Sequence, residues 1–264
     1  MNLGKEVINM SEPYIGITDF LTYEQVKRML RAFKAHRSKK SRRRLHVGVM
    51  MSRKTLRGLE TKGSQAFPPK ETIDSIFSSD EVMNCLHYAD YGYDPDLGKN
   101  LSEAIGYGGI GINALQLDMV WPDPGQIAHG VHTSRKQLEI ILQIGERALD
   151  EAGNDPIATV ERLQDYEGVI HHVLLDKSMG RGLGMDAVGL IPFAWAIKES
   201  FPTLGLGAAD GLGPNTVQLV KPLLQAFPDL SMQGKLRPSG NALDPIDWGM
   251  AETYLVEALD LTRS

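Results

Sequence analysis

Apolar residues in this chain fall into short dense runs, and most runs are followed by a stretch with apolar positions three or four apart. The first reads as a strand and the second as a helix. Residues 14–18 (YIGIT) open the series, and residues 21–37 place Leu21, Val26, Met29, Leu30 and Phe33 at near-helical spacing. Further strands are expected at 45–51, 82–88, 112–120, 138–144, 169–176, 204–209 and 230–236. Helical pieces are expected at 68–77, 96–105, 126–131, 146–166 with a break near 154–156, 186–201, 215–226 and 245–261. Strict alternation implies parallel strands with right-handed crossovers. Eight units in 264 residues close into an α/β fold, a single eight-fold β/α (TIM) barrel over 1–264. An elaborated loop region at about 89–111 interrupts the pattern and reads as a lid or an oligomer contact.

Composition adds exclusions. With 42% hydrophobic residues the chain can cover a sizeable core, and a net charge of -5 lacks the basic excess of nucleic-acid partners. A single cysteine, Cys85, rules out an intrachain disulfide. There is no apolar leader and no long apolar span, so the expectation is a cytoplasmic protein with a small-molecule partner, no nucleic acid and no membrane. The oligomeric state is not set by the sequence. The strongest charge run, HRSKKSRRR at 36–44, reads as a solvated helix end, because cations favour a helix C-terminus.

Chemistry concentrates at 169–186, VIHHVLLDKSMGRGLGMD. The run is too short for a helix and too apolar for a half-exposed strand, so it reads as a strand covered on both faces. It ends in Asp176, and Gly180, Gly182 and Gly184 then let the backbone turn sharply toward a ligand. In a barrel, function sits where strands give way to their following loops, and here those positions are acidic. Asp19, Asp90, Asp118 and Asp210 join Asp176, with Arg53, Lys235 and Arg237 as the cations. One such aspartate is more often a helix cap than a catalytic group. Five around one mouth would raise each other's pKa values unless a cation, a bound metal or a polyol hydroxyl shares the site.

Alternation turns Asp176, Leu174, His172 and Ile170 toward the barrel centre and His171 toward the helices; both histidines read as core. No HxH or HExxH spacing supports zinc. The GRGLG segment lacks the acidic ribose-binding residue of a dinucleotide loop. ADGLGPNTV and RPSGN suit the helix starts where barrels commonly cradle phosphate.

In this order the segments resemble phosphoribosylanthranilate isomerase of tryptophan biosynthesis, over most of the chain. YIGITDF is similar to that family's first-strand motif, VGVMMSRK to its second strand with a basic residue for substrate, and LQLD to its fourth-strand Gln-Leu-His. LLDKSMGRGLGMD looks like its Leu-Leu-Asp segment with the glycine loop. GLGAADGLGPNTV is similar to the seventh-strand pattern and RPSGN to the eighth-strand Ser-Gly. The resemblance implies aldose-ketose (Amadori-type) isomerisation of a phosphorylated sugar, with no cofactor. Asp176 would be the general acid at the ribose ring oxygen, and Arg53 would hold a substrate carboxylate. Gly211, Gly213, Ser239 and Gly240 would bind phosphate. The chain departs from the family at the base, where Ile15 replaces a cysteine, and at Asp118, which replaces the histidine of Gln-Leu-His. Asp210 stands where the phosphate turn has its first glycine, and Leu236 where the eighth strand has an aspartate. Three readings follow. The first is an isomerase using Asp210 or Asp118 as base. The second is an aldolase or lyase whose acidic mouth binds a divalent metal and acts on a phosphorylated or polyol substrate. The third is a non-catalytic sugar- or anion-binding barrel.

Overall fold

The computed structural model describes residues 11–61, 63–92, 94–177, 185–234, 236–238 and 244–263, without the side chains of Ser64 and Asp210. In chain order the elements are β1 (Tyr14–Ile17), α1 (Tyr23–His36), β2 (Arg44–Ser52), α2 (Arg53–Leu56), α3 (Ile73–Ile76), β3 (Met83–Ala89), α4 (Leu97–Tyr107), β4 (Ala114–Asp118) and α5 (Pro124–Ser134). They continue with β5 (Glu139–Gly145), α6 (Glu146–Glu151), α7 (Pro156–Leu163), β6 (His172–Asp176), α8 (Ala187–Ser200), β7 (Gly205–Leu212), α9 (Lys221–Ala226), β8 (Ser231–Gly234) and α10 (Trp248–Leu261). All eight strands are parallel, each beside the next, and β8 closes on β1 through Ile15↔Met232 and Gly16↔Gln233. The expected TIM barrel is therefore the fold.

Period-two alternation sorts the strand side chains into two cores. Tyr14, Met83, Cys85, Ala114, Ile141, Leu174 and Ala209 fill the barrel. Ile15, Val47, Leu86, Leu115, Leu142 and Val173 face outward and pack against helix residues such as Val26, Phe33 and Leu255. Helix α1 shows the local logic: Thr22 and Gln25 form a capping box, and Val26, Met29, Leu30 and Phe33 bury one stripe. Among the described residues, no helix is long and apolar enough to cross a membrane.

Several expected boundaries move, each for a backbone reason. Strand β6 starts at His172 because the amides of Val169 and Ile170 both bond the Tyr166 carbonyl and close a turn. Ile170 therefore packs in the outer core instead of facing the centre. His172 and Leu174 do face inward, and His171 points away, its Nδ1 accepting from the Ile140 amide. Residues 68–77 form only a 3-10 turn and the short α3, since Pro68 and Pro69 carry no amide hydrogen. The helix expected at 215–226 is split by Pro222 into the 3-10 turn Val217–Val220 and α9. The break near 154–156 is real: Gly153 and Asn154 take left-handed φ angles of 67° and 52°, and α7 restarts at Pro156 under the Asp155 cap.

The charge run is corrected in part. Arg43 is buried, donating to the carbonyls of Leu230 and Pro228 at 2.6 Å each. Arg44 bonds Glu139 at 2.7 Å, and Arg42 pairs with Asp229. The first part of the run is the exposed end of α1, as expected, but Arg43 and Arg44 tie the start of β2 to the approach to β8 and to β5, because a guanidinium can satisfy carbonyls and carboxylates that would otherwise be buried unpaired.

Candidate functional site at the carboxyl ends of the strands

Strands β4 and β6 each end on an aspartate. Asp118 shares the inward phase of Ala114 and Gln116, and Asp176 that of Leu174 and His172. Between them, β5 contributes Gln143, the register partner of Asp118. Gln143 Nε2 donates to Asp176 Oδ2 at 3.0 Å, and its Oε1 accepts from Gln116 Nε2 at 2.8 Å. Both amides are buried, at 7% and 0% exposure. A buried amide needs partners for both ends, so this chain of bonds fixes which end of Gln143 meets the carboxylate.

The loop after β3 closes the other side of Asp118. The half-exposed Tyr91 donates its hydroxyl to Asp118 Oδ2. Burial, the Asp118 charge and that hydrogen bond, and then the Asp176 charge hold the phenol well above its ordinary pKa, opposed by Arg147. One hydroxyl thus feels both carboxylates and an exposed cation at the start of α6. His87, which points inward on β3, places Nε2 3.7 Å from Asp118 Oδ2. Neither of its ring nitrogens has a hydrogen-bond partner among the described residues. Asp90, just past β3, accepts from the Gly92 amide through Oδ1, while its buried Oδ2 is without a partner there.

The remaining expected residues are placed around this centre. Arg53 opens α2 with its Nε 3.7 Å from the buried Asp94, which also accepts from Asn100, so the guanidinium at the mouth is partly neutralised. Asp19 is buried with φ 66° and forms an ion pair with Arg237 across the β1/β8 seam. Gly211 takes φ 72°, and the Gly213 amide donates to Thr216 Oγ1, whose hydroxyl also bonds the Gly211 carbonyl. Asp210 lies within β7 rather than at its end; its side chain, Lys235, Ser239, Gly240 and the 180–184 glycine loop lie outside the described residues. Ile15 packs in the outer apolar core.

The capping alternative for the aspartates can be judged directly. Caps on α5, α7, α8 and α10 come from Asp123, Asp155, Asp186 and Asp247. Asp19, Asp118 and Asp176 are not among the helix caps. Sequence reasoning missed Gln143 and His87, which alternation places in the barrel once the register with β4 is known. It also missed Tyr91 and Arg147, which lie beyond the strands, where no periodicity applies.

No protein-family model and no curated protein matches the chain. Among solved structures, a phosphonopyruvate hydrolase in complex with oxalate and Mg2+ superimposes with a TM-score of 0.50 at 13% identity, over 87% of this chain and 77% of that one. Another crystal structure of phosphonopyruvate hydrolase gives 0.45 at 15% identity, over 81% and 79%. At such identities the likeness is one of fold.

Proposed function

We propose that this barrel is a divalent-metal-dependent enzyme of the aldolase or lyase type, acting on a small anionic substrate. The observation that carries the proposal is the placing of Asp118 and Asp176 at the ends of the strands on either side of β5, whose Gln143 bonds Asp176 and lies beside Asp118 in register, with the Tyr91 hydroxyl bonded to Asp118. The donors suit a hard cation. They are carboxylate oxygens, the ligand type that Mg2+ prefers. Mg2+ typically takes one or two carboxylates and fills its shell with water and substrate oxygens. The described residues contain no cluster of three histidines, cysteines or carboxylates able to hold a metal, and such a cation needs none. The neighbouring hydrolase, seen with Mg2+ and oxalate, supplies the choice of probe.

When bound, the cation would supply Lewis-acid stabilisation of charge developing on a substrate oxygen. The chain's own residues do the rest. Asp118 and Asp176 would hold the cation, and Gln143 keeps Asp176 turned into the mouth. Arg147 offers an exposed cation to a substrate anion. The isomerase reading keeps one supporting feature, the same Asp176 at the β6 end, but Ile15 offers its mouth no proton acceptor and would leave that task to Asp118 or Asp210.

Turnover tested on a panel of 2-oxo acids, sugar phosphates and polyol phosphates should require Mg2+ and stop with EDTA. Turnover of a sugar phosphate that EDTA leaves untouched would overturn the proposal in favour of the isomerase.

A further inference from the structure

Tyr91 brings a hydroxyl to Asp118 from outside the strands, and its hydrogen bond uses Oδ2, the same oxygen that His87 approaches. If Asp118 helps to hold a cation, its oxygens give up electron density and Oδ2 becomes a weaker acceptor, while it keeps a lone pair for Tyr91. The half-exposed phenol can then exchange that bond for a stronger, charged acceptor on its open side. A substrate oxyanion bound beside the cation would offer such an acceptor.

Resting on the metal-dependent reading above, we propose that Tyr91 is a substrate-contacting residue. Its hydroxyl moves from Asp118 in the free chain to an anionic oxygen of the cation-bound substrate, selecting small ligands with a carboxylate or similar oxyanion. Three features agree with this role. Tyr91 is 52% exposed and so can rotate without disturbing a packed core. Its backbone follows an Asx turn closed by the Asp90 carboxylate and the Gly92 amide, which fixes where the loop leaves β3. Arg147 stands exposed at the start of α6, directly after the β5 strand that carries Gln143, and offers a charge on the same rim.

The test compares wild type with Tyr91→Phe, a change at an exposed position that keeps the ring. Isothermal titration calorimetry would measure Mg2+ alone, then oxalate at saturating Mg2+, with thermal melting to confirm that the variant is folded. Losing a competing bond to a carboxylate should leave Mg2+ affinity unchanged or raise it by up to roughly ten-fold, whereas oxalate affinity should fall by roughly ten-fold or more. Equal oxalate affinity in the two proteins would overturn the role of Tyr91 while leaving the metal-dependent reading intact. So would a loss of Mg2+ binding in Tyr91→Phe, which would make the tyrosine a structural support. Wild-type protein that binds Mg2+ but not oxalate would also overturn it, and wild-type protein that does not bind Mg2+ would remove the reading on which it rests.

Discussion

Asp176 accepts from Gln143 and is not a cap of any described helix, so asparagine in its place keeps the size and the bond from Gln143 while removing the charge that would hold the cation. Asp176→Asn should lose turnover by about a hundred-fold or more at limiting Mg2+ with a melting temperature close to wild type; turnover that survives would leave Asp118 to hold the cation. At the opposite end of the barrel, Glu139 bonds Arg44 and His172, the latter at 2.9 Å. Burial alone would raise its pKa, but the bonds from His172 and Arg44 win and draw it down to about 2. Because the folded value lies below the ordinary 4.5, this stabilisation is complete above that pH and is lost as pH falls toward 2. Glu139→Gln should therefore be less stable than wild type at pH 7 and show a flatter loss of stability through that window, as denaturant melts at pH 7, 4 and 3 would reveal. Parallel curves would contradict it. Asp118 and Asp176 were legible in the sequence because each ends an apolar run. The Glu139 cluster was not, since nothing in a one-dimensional pattern brings residues 44, 139 and 172 together.

Element boundaries followed periodicity wherever the backbone was free to obey it, and failed where proline or a turn took an amide. The start of β6 and the split before α9 are both of that kind. The approach to β8 depends on a tether that periodicity cannot show: Arg43 reaches from the loop before β2 to the Leu230 and Pro228 carbonyls. Burial lowers the guanidinium pKa to about 10, and it remains charged at neutral pH. Arg43→Met keeps much of the stem and leaves two carbonyls unpaired. It should cost on the order of 2–4 kcal/mol, seen as a melting point lower by roughly 5–15 °C. A shift under a degree would mean that water takes over both carbonyls.

For the molecule as a whole, eight strand-helix units in this length left closure as the natural outcome, and the parallel register confirms it. What alternation could not give was which mouth residues meet, because that depends on the stagger between strands and on loops without periodicity. The barrel sets Asp118 and Asp176 on one rim with Gln143 between them, and the central claim is that this rim holds a divalent cation. Mn2+ titrations followed by water-proton relaxation test it directly, since bound and free ion differ in relaxivity. The account predicts saturable binding in wild type that is lost in both Asp118→Asn and Asp176→Asn, each of which remains folded. Absence of binding in wild type, or binding that both variants retain, would contradict it.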